Sequence, residues 1–189
     1  MTSPLKPPVE AQTTTLPIDS ARRLAQRLDD THFRLATVES CTGGLLAGSL
    51  TSLAGASSWF EGGFITYRLT AKQHLLGIHA DTLNTFGAVS EVVATQMVQH
   101  ALTQSATDLA IATTGIAGPS SDSTATPVGT LWIAWAGVAG THRSHEAPWC
   151  DAQCFKLSGS RQAFREQAVA LSIDGLLSRL RQANPLPDV

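Results

Sequence analysis

The stretch that most constrains the fold runs from 128 to 138, where Leu131, Ile133 and Trp135 alternate with Trp132, Ala134 and Ala136. Successive side chains of a strand point to opposite faces, so a strand here is apolar on both. Such a strand must be covered from two sides, which argues for a sheet with helices above and below it. The run 108–113 reads as a second buried strand. Phe33-Arg34-Leu35-Ala36-Thr37-Val38 reads as a third, and Phe64 to Tyr67 as the end of a fourth. Helical periodicity alternates with these strands. Ala21, Leu24, Ala25 and Leu28 share a face behind Asp19 or Ser20 as cap candidates. Ser90 is placed to cap a helix over 91–104, with Val93, Met97, Ala101 and Leu102 inward. A last helix over 160–181 carries Phe164, Ala168, Leu171, Leu176, Leu177 and Leu180. The alternation gives an α/β domain with helices on both faces of a central sheet. The segment 77–86 reads as a loop, 141–147 as a further strand, and the stretch up to Pro127 as a long Gly/Ser/Pro loop.

At 189 residues the chain suits one domain with a sizeable core. Residues 1–17 hold four prolines and a Thr-rich run without apolar period, and are expected to form a flexible tail; the domain then spans 18–182 and a short tail 183–189. A formal net charge of −2 argues against nonspecific nucleic-acid binding, which needs a basic surface. No apolar run reaches the roughly 18–20 residues of a membrane span, and no signal-peptide core is evident, so a cytoplasmic protein is expected. Three cysteines give no disulfide framework. Cys150 and Cys154, with His142 and His145 upstream, lack paired knuckle spacing and are expected on a mobile loop without metal.

Chemistry concentrates at Glu39-Ser40-Cys41-Thr42-Gly43-Gly44, between the strand ending at Val38 and a helix starting at Thr42 with Leu45, Leu46, Leu50 and Leu53. Backbone N–H groups at such a helix start, near Thr42, Gly43 and Gly44, can hold an oxyanion or a phosphate; a serine beside two glycines is more often a plain turn or phosphate loop. A second segment, Gly62-Gly63-Phe64-Ile65-Thr66-Tyr67-Arg68-Leu69-Thr70-Ala71-Lys72, passes from a strand end into a helix with Leu75 and Leu76. Ser40, Tyr67 and Lys72 recur with Gly87-Ala88-Val89-Ser90-Glu91 and Thr114-Gly115-Ile116-Ala117-Gly118-Pro119. Pro127-Val128-Gly129-Thr130 and the pair Arg161 and Arg165 follow in the same order. This ordered set resembles the CinA C-terminal family over roughly 18–182.

The resemblance implies a three-layer α/β/α sandwich with a central mixed sheet, and nicotinamide-nucleotide amidase activity. It also implies a homo-oligomer and no metal or organic cofactor. Longer members carry an additional N-terminal domain for which this chain is too short. Amide hydrolysis needs an activated nucleophile, an oxyanion partner and an acid for departing ammonia. The six histidines form no recurrent signature, whereas Ser-Lys pairs are a known variant of the serine triad. Lys72 is therefore the expected base once burial or a nearby cation depresses its pKa, with Tyr67 relaying a proton or fixing the lysine. Thr114, Gly115, Ile116, Ala117 and Gly118 are expected to approach the substrate through a Gly-rich loop. Arg161 and Arg165, four apart on one helix face, suit either a phosphate or a surface ion pair. Cys41 is expected to be a buried structural neighbour, and Trp132 and Trp135 core residues.

Two departures from the family pattern bear on activity. Tyr-Ser-Asn is replaced by Tyr67-Arg68-Leu69, where Arg68 would either depress the Lys72 pKa or face water. The loop before Pro127 ends in Thr126 rather than lysine. The reading is a metal-independent amidohydrolase acting on nicotinamide mononucleotide; the alternative is a catalytically degenerate relative serving as a nucleotide-binding or interaction module.

Overall fold

A computed structural model describes residues 9–10, 17–121, 126–138 and 148–183. Its elements in chain order are β1 (Val9–Glu10), α1 (Pro17–Thr31), β2 (Leu35–Glu39), α2 (Leu45–Thr51), β3 (Phe60–Ile65) and α3 (Leu69–Leu76). They continue with α4 (Ala80–Phe86), α5 (Glu91–Ser105), β4 (Leu109–Gly115), β5 (Thr130–Gly137), β6 (Trp149–Lys156) and α6 (Arg161–Ala183).

Among the described residues the strands form one sheet in the order β1-β6-β5-β4-β2-β3. β3, β2 and β4 run parallel, β5 and β6 are antiparallel additions, and β1 lies parallel to β6, so the sheet is mixed. The alternation read from the sequence separates two cores. Leu131, Ile133 and Trp135 of β5 pack with α1, α2 and α6 on one face. Trp132, Ala134 and Ala136 pack with Leu76, Leu83 and the α5 residues Val93, Met97 and Ala101 on the other. This is the expected three-layer arrangement. Burying each large aliphatic side chain here is worth about 1.5–3 kcal/mol.

Several boundaries differ from the sequence reading. The helix expected from Thr42 begins at Leu45, because Gly43 and Gly44 both adopt positive φ (56° and 93°), a conformation that interrupts a right-handed helix. Asp19 and Ser20 lie inside α1 rather than capping it, and the Ser20 hydroxyl donates to Asp174 of α6 (2.7 Å). The segment expected as a loop at 77–86 contains α4. Cys150 and Cys154 lie on β6, paired with Ala136 and Trp132 of β5, and not on a loop. The strand expected over 141–147, with His142 and His145, falls outside the described residues. Val9–Glu10, within the expected tail, pair with Phe155 and Lys156. Ser90 does cap α5, its Oγ accepting from the Val93 N–H (3.3 Å).

The parallel strands set the position of the site. Glu39 stands level with Ile65 of β3 and Thr113 of β4, so the three carboxyl ends finish side by side. Clefts in α/β folds open at such ends, because the chain there leaves the sheet in different directions.

Candidate active site

Ser40 is the first residue beyond β2. Its backbone N–H donates to the Thr113 carbonyl (2.9 Å), extending the ladder with β4 by one rung. Beyond it the chain turns sharply into α2, and three contacts fix that turn. The buried Glu39 carboxylate accepts from the N–H groups of Gly44 (2.9 Å), Leu46 (3.1 Å) and Ala47 (2.8 Å), closing the N-terminus of α2. The Thr42 and Thr113 hydroxyls are hydrogen-bonded (2.8 Å), tying the turn to β4. Arg165 of α6 donates from Nε and Nη2 to the Thr42 carbonyl (3.2 and 2.6 Å).

Lys72 reaches the serine from the other side. It lies in the first turns of α3, its N–H donating to the Arg68 carbonyl (3.1 Å). Its side chain runs inward and is only 1% exposed. Nζ donates to the Thr66 carbonyl (2.6 Å) and sits 2.9 Å from Ser40 Oγ. Burial disfavours the ammonium and pushes the Lys72 pKa down to about 8. Arg68 is exposed and takes no part in that shift, which arises from burial. The Cys41 thiol, also buried, is pushed up to about 12 and stays protonated near neutrality, leaving the serine as the nucleophile available to the lysine.

Ser40, Cys41 and Lys72 open onto a cavity of about 650 Å³. Thr114, Gly115, Ile116, Ala117 and Gly118 form one wall. That wall is pinned by the Thr114 hydroxyl, which donates to the Ala88 carbonyl (2.8 Å), and by Arg161 Nη1 on the Gly118 carbonyl (2.9 Å). Leu83, Ala88 and Val89 add an apolar side, and Arg68, Leu69, Thr70, Gly87 and Ser120 also line the space. Among the described residues no aspartate or glutamate lines this space.

Some expected roles move. Tyr67 lines the cavity, but it is 56% exposed and its hydroxyl is bound by Arg161 Nη2 (2.7 Å). Lys72 contacts Ser40 directly, so the serine–lysine pair needs no phenol between its members. Thr42, Gly43 and Gly44 do not line the cavity. The Gly43 N–H donates to the Ser40 carbonyl (3.1 Å) and the Gly44 N–H to Glu39, so these donors are occupied within the turn. Arg165 is likewise absent from the lining, because its guanidinium is spent on the Thr42 carbonyl. Leu69 is half-exposed on the cavity wall, and Thr126 lies outside the lining. Sequence reasoning assigned no role to Glu39, to Thr113 or to the Thr66 carbonyl. Glu39 and Thr113 carry no local signature, since each acts on a segment that only the fold brings near.

The CinA C-terminal domain family matches residues 18–180. The nicotinamide-nucleotide amidohydrolase PncC of Escherichia coli K12 is 39% identical over 162 residues, covering 86% of this chain and 93% of that protein. Its namesake in Shigella flexneri is 40% identical over the same shares of the two chains. The crystal structure of competence damage-inducible protein A from Klebsiella pneumoniae superposes with a TM-score of 0.81 at 30% identity, covering 88% of this chain and 98% of that one.

Proposed function

This chain belongs to the CinA C-terminal domain family, and from that membership we propose that it hydrolyses the carboxamide of nicotinamide mononucleotide to nicotinate mononucleotide and ammonia. The similarity to proteins named nicotinamide-nucleotide amidohydrolase supports the reaction class. The observation that carries the mechanism is the 2.9 Å contact between Lys72 Nζ and Ser40 Oγ at the base of the cavity.

In the proposed reaction the neutral Lys72 amine donates one N–H to the Thr66 carbonyl and takes the proton of Ser40 as Oγ attacks the amide carbon. The Cys41 N–H, next to Ser40 on the cavity wall, supplies a donor to the oxyanion. The lysine ammonium then returns its proton to the amide nitrogen, the C–N bond breaks, and ammonia departs. Water attacks the acyl-serine with Lys72 again accepting the proton, the C–Oγ bond breaks as the lysine returns that proton to Ser40 Oγ, and the acid product leaves and ionises to its carboxylate. Every step is a proton transfer or an acyl transfer, so the chain's own residues suffice.

The cavity suits this substrate. Its volume lies within the 300–1,000 Å³ usual for small-ligand sites. Leu83, Val89 and Ile116 offer apolar surface to the ring, and the exposed, polar part of the lining is left for the ribose and phosphate. A chain that binds nucleotides without turnover has less support, because the half-exposed Leu69 leaves the serine–lysine contact unaffected.

Ammonia release from nicotinamide mononucleotide, nicotinamide riboside and free nicotinamide tests the reading. The mononucleotide is the expected best substrate, and Ser40→Ala lowers its turnover by more than about 10³-fold. Wild-type turnover in that variant would overturn the mechanism.

A further inference from the structure

The cavity has a cation that the proposed chemistry does not use. Arg68 lines the same space as Ser40 and Lys72, yet it is exposed and lies at the start of α3, away from the buried pair. Its guanidinium makes no hydrogen bond or ion pair with another described residue. The neighbouring arginines differ. Arg161 is held by the Gly118 carbonyl and the Tyr67 hydroxyl, and Arg165 by the Thr42 carbonyl.

A guanidinium on a cavity wall with no acidic partner leaves a local excess of positive charge. Around this cavity that excess is not compensated, since Arg68 and Arg161 both contribute to the lining and no carboxylate among the described residues does. A phosphate monoester carries about −1.5 to −2 charge near pH 7, and its oxygens match the planar fork of arginine. Lys72 cannot serve the phosphate, because it is committed to Ser40 and Thr66 at the buried end. With the carboxamide at Ser40, the phosphate of a mononucleotide is directed away from that end and toward the exposed residues of the lining.

We propose that Arg68 binds the 5′-phosphate of the substrate and so makes the site selective for a nucleotide over the corresponding nucleoside. This rests on the amidase reading for the placement of the carboxamide. Arg161 keeps the Gly-rich wall and Tyr67 in register, whereas Arg68 has its full donor set available to the incoming anion.

The test compares nicotinamide mononucleotide with nicotinamide riboside, which differ by that phosphate. In Arg68→Gln the preference for the mononucleotide, as the ratio of kcat/KM values, falls about tenfold, and the loss lies in KM rather than kcat. Arg68→Lys, which keeps a charge without the fork, recovers part of the ratio. An unchanged ratio in Arg68→Gln, or an equal loss on both compounds, would overturn the proposal. If the wild-type protein releases ammonia from neither compound, the amidase reading fails on its own. Calorimetric binding then decides the role of Arg68: affinity for the mononucleotide must drop about tenfold in Arg68→Gln while affinity for the riboside does not follow. Failure of the mononucleotide to bind at all would overturn both.

Discussion

The proposed reaction asks two things of Lys72, a side chain charged in the unfolded chain and an amine able to take a proton in the folded one. Burial accomplishes the change by removing water from the ammonium, with no neighbouring cation contributing to the shift. The consequence is visible in the rate. With a pKa of about 8, only about a tenth of the lysine is neutral at pH 7. In the proposed reaction the neutral form is the base, so kcat/KM for nicotinamide mononucleotide is expected to rise with pH, about tenfold per unit below the transition, and to level off above about 8. A profile flat from pH 6 to 9 would mean that the lysine does not act as the base. The serine–lysine pair was legible in the sequence only through the ordered set of motifs, because a single lysine on a helix is ordinarily solvated. The part assigned to Tyr67 was not legible. Spacing along the chain places a phenol near a pocket, but it does not reveal that an arginine 94 positions later takes its hydroxyl.

The turn between β2 and α2 illustrates why element boundaries were harder to read than elements. The sequence marks a strand, a glycine pair and an apolar helical period, and all three are present. The helix start expected at Thr42 assumed that the cap would be local. Instead Glu39, the last residue of the strand, folds its carboxylate back over Gly44, Leu46 and Ala47, eight positions away at the furthest. The usual signature of a Ser, Thr, Asp or Asn directly before the helix is therefore missing. α4 escaped notice for a related reason: its seven residues Ala80-Asp81-Thr82-Leu83-Asn84-Thr85-Phe86 lie between Gly77 and Gly87 and are rich in poor helix formers. Glu39→Ala leaves three N–H groups at a partly buried helix start without their acceptor. We expect it to destabilise the protein by about 3 kcal/mol, read as a lower urea midpoint, because such donors are costly when unsatisfied. The same variant lowers kcat, since Ser40 adjoins the released turn. Stability equal to wild type would show that water replaces the carboxylate without cost.

α6 joins the hydrophobic core to the chemistry, because one helix carries both. Its outer half is fastened to the sheet at Trp135, whose indole N–H donates to the Ser172 carbonyl (2.7 Å) and whose ring lies 3.7 Å beneath the Arg179 guanidinium. Its first turns deliver Arg161 to the cavity wall and Arg165 to the Ser40 turn. Trp135 was readable as a core residue from its place in a strand apolar on both faces. The helix position that faces it was not, since a glycine inside a long helix looks like a weakness until the contact is known. Gly175 allows that contact: a Cβ there would lie 2.2 Å from Trp135 Cζ2 and 2.7 Å from Cε2. Gly175→Ala therefore cannot be accommodated without moving α6 away from the sheet or tilting the indole. Although alanine favours helix by about 1 kcal/mol over glycine, the overpacking dominates, and a net loss of about 2 kcal/mol is expected. Any shift of α6 also carries the two arginines with it, so KM should rise along with the fall in melting temperature. Trp135→Phe removes the ring atoms that collide, and in that background the cost of Gly175→Ala should shrink or change sign. Equal cost in both backgrounds would mean that the indole is not what the glycine accommodates, and that the coupling between core packing and the site runs through another contact of α6.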